Sequence, residues 1–497
     1  MEAISAASID AHLRYLSSDL LEGRAPGTRG SELAATYIAT QFELAGLEPV
    51  SGSEYLRPVR LLARRSRARI SFRARGGAAL APVAGEDCVV WTSAPVDTLR
   101  LTAEVVYVGY GIHAPEYDWD DFKGVDVSGK VLLLLGGGPA AYGSYPAELQ
   151  GDYALEHHKF EEAARRGAAG AVLIHLAQPS GYQWGAVRGA RGAEILSLGA
   201  TETPPPALHG WLSEETARQV IGMASLDFTT LVELANSRQF RPIGTGVNLR
   251  ATIVNRSREF ADYNVAGLLR GGDPGRAGEV VLFAAHFDHL GIGPKVGLDS
   301  IYNGAYDNAS GIALLITLAG AFARMERPPA RSLLFLALTA AEPDLLGSAH
   351  YVSQPLVPLA QTVTAINLDR ANLWGPTADL LLIGDEARLY KYVEEAAAAE
   401  RLQLRSARGV GRGHRYRSDE LSFLGAGVPA VRLGHGLDFI GRMPGWGEAV
   451  IGAYGAGHYR QPSDEYRPDF DYRGAVQQGR VAFRLGLQLA NSGRRPR

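Results

Sequence analysis

The chain has 497 residues, with 50 lysines and arginines against 53 aspartates and glutamates, so its formal net charge is −3. This length predicts two or three domains, each large enough to build its own hydrophobic core. The near balance of charge gives no electrostatic footprint for nucleic acid or for an anionic membrane, and it favours a small partner molecule. The single cysteine, Cys88, excludes an internal disulfide.

The first residues, MEAISAASIDAHLRYL, lack the basic segment followed by an apolar segment that is typical of a signal peptide. No continuous apolar run reaches the roughly 18 to 20 residues of a membrane span. For the chain as given, these patterns predict a cytoplasmic location. The sequence does not indicate the oligomeric state.

Apolar residues recur at helical spacing in residues 7–20 and 31–46, which predicts two opening helices, the second ending at Gly46. Residues 61–104 contain short runs such as ARISFRA that are typical of strands, and we expect them to be connecting β segments.

A smaller α/β domain is predicted over residues 105–245, because KVLLLLGG and FEEAARRGAAGAVLIHLA indicate a strand, a helix and a second strand. Its three histidines, His157, His158 and His175, form no recognisable catalytic pattern, and we expect them to be ordinary surface or core residues.

From residue 246 onward, strands and helices alternate. EVVLFAAHFDH, SLLFLALTA and TVTAINLD are predicted strands, and SGIALLITLAGAFARM is a predicted helix with Ser310 as its N-cap. This alternation predicts a mostly parallel sheet. We therefore assign residues 1–60 and 246–497 to one catalytic domain, interrupted by the smaller domain.

Four polar residues lie where ligands of such a sheet bind, outside the carboxyl ends of the strands. His286, Glu342 and Asp369 each follow an apolar strand, and Asp307 lies in the loop YNGAYDNASG before a helix. Carboxylates brought together at one edge need a cation, and histidine with carboxylates is a ligand set of Zn²⁺ and related metals. The pattern favours a metal site.

The segments HFDH, YDNASG, EPDLLGS and INLD, in this order and spacing, resemble the co-catalytic zinc aminopeptidases of the bacterial leucyl aminopeptidase type, whose family also contains glutamate carboxypeptidase and glutaminyl cyclase. The resemblance covers nearly the whole chain, and VGYGIHAPEYDWDDFKGVDVSGKVLLLL is similar to that family's inserted protease-associated domain. It implies an α/β/α sandwich with a mostly parallel mixed sheet, plus the smaller inserted α/β domain. Members of the family are often exported, which would imply a periplasmic or secreted protein if the chain given is truncated at its N-terminus.

The resemblance also implies roles for individual residues. His286 and Asp369 would bind a first zinc ion, Asp307 would bridge two ions, and Glu342 would bind the second. Asp288 would orient His286. Tyr306 replaces a further acid that is common in the family, and we expect it to shape the pocket wall instead of binding metal.

Two positions depart from the family pattern. Ala341 stands where the family has the carboxylate that acts as general base, directly before Glu342. Arg460 stands where the family has the last histidine ligand of the second metal, with His458 two residues earlier. A natural change of chemistry would explain both departures, whereas deliberate inactivation would explain only Ala341.

Arg460 has three readings. Its guanidinium could pair with Glu342 and replace the second metal, leaving one zinc bound by His286, Asp307 and Asp369. It could instead point to solvent while His458 binds a second zinc. It could also hold a substrate carboxylate.

Three functions remain open from the sequence. The first is a zinc-dependent aminopeptidase-like hydrolase of peptide or aminoacyl amide bonds that lacks its usual base. The second is a single-metal enzyme of altered chemistry, such as acyl transfer or cyclisation, and the third is a non-catalytic binding protein that keeps the pocket. Each would take a small peptide or aminoacyl compound.

Overall fold

The computed structural model describes residues 2–50, 52–94, 96–139, 152–176, 183–191, 194–198, 207–342, 344–406 and 418–496. The chain divides into two compact units. The first contains residues 1–61, 259–407 and 418–497, and the second contains residues 62–258 and 408–417.

A mixed sheet forms the centre of the first unit, as the alternating pattern predicted. Its neighbouring strands, in spatial order, are Gln403–Ser406, Asp379–Gly384, Ala430–His435, Thr362–Asn367, Val280–His286, Ser332–Leu338 and the last part of Ile243–Leu269. Most neighbours are parallel, and the antiparallel pairs join Asp379–Gly384 to Ala430–His435 and Ser332–Leu338 to Ile243–Leu269.

Helices cover both faces of this sheet because its central strands are apolar on both sides. Phe283 and its alternate neighbours pack with the opening helices and with the long C-terminal helix, whereas Leu282 packs on the opposite face with Tyr351 and Phe423. The prediction of an α/β/α sandwich is confirmed. The helices are Ala6–Leu16, Arg29–Leu44, Ser310–Ala323, Leu346–Ser353, Glu386–Ala398, Glu420–Gly425, Trp446–Gly457 and Arg473–Asn491, with short helical turns at Asp19–Arg24, Ala305–Ala309 and Leu359–Gln361 and further strands at Glu48–Pro49, Gly291–Val296 and Asp299–Tyr302.

The helix ends follow local sequence signals only in part. Gly46 has a φ of 78° directly after the second helix, as its predicted place at the helix end requires. Ser310 is not the N-cap of its helix, as we predicted, but its first residue, and its hydroxyl donates to the Tyr306 carbonyl. The preceding loop is wound into a helical turn, so the helix starts from that turn instead of from a capping side chain.

Among the described residues, the segment Ala305–Ala323 is the one helix long and apolar enough by composition to cross a membrane, although Asp307 and Asn308 interrupt its apolar run. In the structure, 94% of that window is buried inside the protein. This burial is typical of the core helix of a globular domain.

The second unit has its own hydrophobic core. It includes residues 62–104, which we had treated as connecting segments, because Cys88–Trp91 pairs with Leu208–Leu212 and Thr98–Tyr107 pairs with Val131–Leu135. Its boundaries are therefore wider than the predicted 105–245. The elements lying wholly within it are strands Ala79–Leu80, Cys88–Trp91, Thr98–Tyr107, His113–Ala114, Trp119–Asp120, Val131–Leu135, Gly170–Ile174, Ile195–Ser197 and Leu208–Leu212, helices Glu156–Arg165, Trp184–Arg191, Glu214–Met223 and Phe228–Ala235, and short turns Pro115–Tyr117 and Asp152–Ala154.

Two long strands, Leu56–Ala74 and Ile243–Leu269, contribute residues to both units. Within the second unit, Ile243–Val254 pairs antiparallel with Thr98–Tyr107, and Leu56–Ala74 pairs with Ile243–Leu269.

Candidate metal centre

The candidate ligands meet because three parallel strands end at one edge of the first unit's sheet. His286 lies opposite Leu338 in the register of the two central strands, and Ala284 lies opposite Asn367. The residues that follow these strand ends therefore share one site, which brings Glu342 and Asp369 near His286.

Two sets of buried side chains at this edge have the composition of metal sites. The first set is His286, Asp307 and Asp369, and the second is His289, Asp307 and Glu342. Within each set, the candidate ligand atoms all lie within 4.8 Å of one another. Asp307 belongs to both sets.

The first set contains the three ligands predicted for a first zinc ion. His286 Nε2 lies 3.8 Å from Asp307 Oδ1, and His286 Nδ1 lies 3.7 Å from Asp288 Oδ1 on the other side of the ring. Burial lowers the pKa of His286, but the contact with Asp288 and the charges of Asp307 and Asp369 outweigh it and raise the pKa well above 6.5.

Asp288 also shapes the loop that follows the neighbouring strand. Its two carboxylate oxygens accept hydrogen bonds from the backbone N–H groups of Ala341 and Glu342, at 3.0 and 3.1 Å. One carboxylate thus faces the His286 ring and fixes the position of the next candidate ligand.

Asp307 is held in place by two residues outside the predicted ligand set. The Asp464 carboxylate accepts the backbone N–H groups of Tyr306 and Asp307, at 2.8 and 3.1 Å, and the hydroxyl of Tyr454 at 2.7 Å. Asn308 Oδ1 accepts the N–H groups of Gly311 and Arg370, which ties this loop to the strand end carrying Asp369.

Burial raises the pKa of Asp307 to about 7, and the negative charges of Glu342 and Asp369 add to the effect. Its Oδ2 atom is buried and has no hydrogen-bond partner among the described residues. A buried carboxylate oxygen without a partner is costly unless a cation binds it. The residues present therefore fit a metal ion.

The contacts of Tyr306 are with residues outside the two candidate ligand sets. Its hydroxyl lies 2.9 Å from His435 Nε2, and its ring packs edge-on against Trp374 and Tyr454, with centroids 4.8 and 5.5 Å apart. It forms an aromatic wall beside Asp307.

Arg460 points into the site and forms an ion pair and a hydrogen bond with Glu342. Burial raises the pKa of Glu342, but the charges of Arg460, His289 and His286 outweigh it and hold the pKa at about 2. The side chains of Glu342 and Arg460 are 6% and 18% exposed, so water screens this pair weakly.

His458 belongs to neither set, although we had considered it as a substitute ligand. Its Nδ1 lies 2.9 Å from Ser463 Oγ, and its ring packs on Tyr454 with a centroid distance of 4.6 Å. These contacts hold the ring away from the candidate ligands.

His289 is the site residue that the sequence analysis missed. Both of its ring nitrogens are buried without a hydrogen-bond partner among the described residues, and burial lowers its pKa to about 3. The ring packs on Gly304, where an added Cβ would come within 2.5 Å of His289 Cγ. The signal in the sequence is a second histidine three residues after His286, in the segment HFDH.

Two arginines beside Asp369 were also missed. Arg370 Nε lies 3.3 Å from Asp369 Oδ1, and Arg432 Nη1 lies 3.7 Å from Asp369 Oδ2. Burial raises the pKa of Asp369, but these two arginines and His286 lower it to about 2. Asp369 is therefore a carboxylate at neutral pH, as a metal ligand must be.

Ala341, at the position of the absent base, is 4% exposed and lies next to Glu342. It offers no group that could move a proton.

Comparison with known protein families identifies the part of the chain that carries the candidate ligands. Residues 264–485, which contain every candidate ligand, match the model of Peptidase family M28. This part of the chain is a peptidase family M28 domain.

Solved structures similar over nearly the whole chain are aminopeptidases and an M28 peptidase. An aminopeptidase from Aneurinibacillus sp. strain AM-1 is 17% identical with a TM-score of 0.56, covering 98% of this chain and 94% of that chain. BSAP, a zinc aminopeptidase from Bacillus subtilis, is 18% identical with a TM-score of 0.53, covering 97% and 94%. A Peptidase M28 precursor from Shewanella amazonensis SB2B is 16% identical with a TM-score of 0.54, covering 100% and 97%.

At this level of identity the structures establish the fold. The match to the family model, over residues 264–485, is what supports a hydrolase-family protein of the metallopeptidase type.

Proposed function

We propose that the chain is a zinc-dependent hydrolase of peptide or aminoacyl amide bonds that works without the family's usual general base. The observation that carries the proposal is the convergence of His286, Asp307 and Asp369, with ligand atoms within 4.8 Å, inside an M28 domain. Three protein ligands with an open position are typical of a catalytic zinc ion, in contrast to a structural one.

His286, Asp307 and Asp369 would hold one zinc ion, and Asp288 would keep the His286 ring in position. A zinc ion held by these residues would polarise a carbonyl and make water a better nucleophile. The protein's own contribution is to orient these ligands and to exclude bulk water from a buried site. The step that this chain cannot perform in the usual way is proton transfer, because Ala341 has no carboxylate.

Arg460 would take the place of a second metal ion. Its guanidinium forms an ion pair with Glu342, which would otherwise be a metal ligand. Arg460 and a second cation would therefore compete for the same carboxylate. His289 would provide the nitrogen ligand of a second ion if Arg460 moved away, since it shares a set with Asp307 and Glu342. We therefore propose one tightly bound zinc ion and, at most, one weaker ion.

A second candidate is a single-metal enzyme of altered chemistry, in which the amine of the substrate itself attacks, as in acyl transfer or cyclisation. It is favoured by the combination of Ala341 and the Arg460–Glu342 pair, since both departures remove parts that hydrolysis by water uses. A binding protein without activity is the remaining candidate. For the second unit, we propose a protease-associated domain, on the similarity of its sequence.

The test combines metal analysis with hydrolysis of aminoacyl anilides by the zinc-loaded protein. We expect about one zinc per chain after dialysis, and slow hydrolysis that Asp307→Asn abolishes together with zinc binding. Bound zinc without hydrolysis of any aminoacyl anilide or peptide would favour the second candidate or a binding protein. Absence of bound zinc would refute the proposed site itself.

A further inference from the structure

The second unit carries a row of arginines on one face of the strand Leu56–Ala74. In the segment RRSRARISFRA, Arg65, Arg67, Arg69 and Arg73 are all exposed, whereas Ile70 and Phe72 between them are buried. Side chains two residues apart lie on the same face of a strand, about 6.7 Å from each other. The row is therefore about 27 Å long.

The two neighbouring strands extend this face. Ser66 donates a hydrogen bond to Asn255 on Ile243–Leu269, so these two side chains share the inner face and the alternate residue Arg256 points outward. Arg250 is also exposed on this outer face. Thr252, on the same face, lies directly opposite Arg100 on Thr98–Tyr107, so Arg100 belongs to the face as well. We call this surface the arginine face, and it contains Arg65, Arg67, Arg69, Arg73, Arg100, Arg250 and Arg256.

The opposite side of the same strands is the hydrophobic core of the second unit. Phe72, Leu249 and Ile253 are buried there, and Leu99 and Leu101 pack against them. The arginines are therefore fixed outward by the alternation of the strands, and no one-residue shift could turn them inward without exposing the core.

Among the described residues, acidic side chains offset little of the positive charge on this face. Within the second unit, these three strands contain one acidic residue, Glu104, which forms an ion pair with Lys130 at 2.8 Å. In the part of the chain that the structure describes, none of the seven arginines has an ion-pair partner. The overall charge of −3 conceals this concentration because acids elsewhere balance it.

Protection of an exposed strand edge is a simpler explanation for charged side chains, since charge prevents edge-to-edge pairing. It does not explain the whole face. Arg250 and Arg100 lie on strands that are paired with each other, where an edge needs no protection. Ordinary surfaces also mix charges of both signs, whereas on this face seven arginines stand against one acidic side chain, Glu104, which is already paired with Lys130.

The uncharged side chains of the face indicate which anion it suits. The outward residues between the arginines are Ser71, Thr98, Thr102, Asn248, Thr252 and Val254, and none is aromatic. Single-stranded nucleic acid is bound on aromatic side chains, and membrane-surface elements add Trp, Phe or Leu to their basic residues. The arginine face lacks both features.

A guanidinium beside a hydroxyl recurs on this face, with Arg100 opposite Thr252 and Arg250 opposite Thr102. Guanidinium groups bind carboxylate or sulfate groups in two-pronged fashion, and hydroxyls bind other hydroxyls. We propose that the arginine face binds a linear acidic polysaccharide, whose carboxylate or sulfate groups follow the row from Arg65 to Arg73 while its sugar hydroxyls contact the threonines.

The experiment measures binding of the full chain to heparin and to polygalacturonate, with phosphatidylglycerol vesicles and poly-dT as alternative polyanions. We expect binding to at least one glycan that weakens as salt increases. Arg65→Gln/Arg67→Gln/Arg69→Gln should weaken it by about tenfold to 100-fold, because three exposed charge contacts are lost.

The matched control is Arg14→Gln/Arg324→Gln/Arg327→Gln, which removes the same charge from exposed positions elsewhere. It should bind the glycan as the unaltered protein does, and thermal unfolding and zinc content should be unchanged in both variants. Equal loss of binding in the two triple variants would overturn the proposal, as would the absence of glycan binding. Binding to vesicles or poly-dT as tight as to the glycan would also overturn it.

Discussion

Replacing Arg460 with histidine should convert the centre from one bound zinc to two. This substitution removes the guanidinium that is paired with Glu342. It also restores a nitrogen ligand at the position where the family has one. The neighbouring His289, with both ring nitrogens unpartnered, is available as a further ligand.

The size of the effect follows from the burial of the ion pair. Glu342 and Arg460 are 6% and 18% exposed, and breaking a buried pair by removing one partner costs about 3 kcal/mol. A second zinc ion at 100 times its dissociation constant would return about 2.7 kcal/mol, because it binds only the folded state. Without zinc, Arg460→His should therefore be clearly less stable than the unaltered protein, and with excess zinc it should be nearly as stable.

Elemental analysis after dialysis and thermal unfolding with and without zinc measure both quantities. Arg460→Ala is the control for loss of the pair without gain of a ligand, and it should gain less zinc than Arg460→His. In Arg460→Ala/His289→Ala, rescue by zinc should fall further, since the second set then keeps only Asp307 and Glu342. If Arg460→His binds one zinc and unfolds like the unaltered protein at every zinc concentration, Arg460 does not occupy the place of a second ion.

Three further predictions concern individual carboxylates. Ala341→Glu in the zinc-loaded protein should increase hydrolysis of aminoacyl anilides by about 10²- to 10⁴-fold, because it supplies a proton acceptor. The control Ala341→Gln should not increase it. Equal hydrolysis rates for the two variants would show that the pocket serves another reaction. Asp288→Asn should weaken zinc binding by about 10- to 100-fold in a metal titration, since it loosens the orientation of His286, and unchanged affinity would contradict that role. Asp419 is fully buried and lies directly before the helix Glu420–Gly425. Burial raises the pKa of Asp419 to about 7, so the folded protein favours the protonated acid and loses stability as the pH rises from about 4 to 7. Asp419→Asn should therefore raise the unfolding temperature at pH 8 more than at pH 5, and an equal effect at both would exclude this titration.

The sequence determined the sheet and most of the candidate ligands, for a local reason. Strands such as Val280–His286 are apolar at every position up to Ala285, which requires burial on both faces, and a polar residue at or after the end of such a strand must lie at the sheet edge. His286, Glu342 and Asp369 could therefore be placed from their own segments. Their convergence then followed from the parallel order of the strands.

Tertiary structure decided which other side chains face that edge. His289 enters the site because its ring packs on Gly304. Asp464 holds Asp307 although more than 150 residues of sequence separate them. Arg432 approaches Asp369 from another strand. None of these contacts has a periodic signal. The sequence likewise leaves the choice between Arg460 and His458 open, and the packing of the His458 ring on Tyr454 decides it.

For the arginine face too, local sequence determined one part of the arrangement and tertiary structure the other. The alternation in RRSRARISFRA was present in the sequence, but a net charge sums over the whole chain and cannot locate charge on a surface. Arg100 and Arg250 join the row only because strands far apart in sequence pair side by side. Local sequence determines which face of a strand a residue occupies, whereas strand pairing determines which residues share that face, because pairing depends on contacts between distant segments.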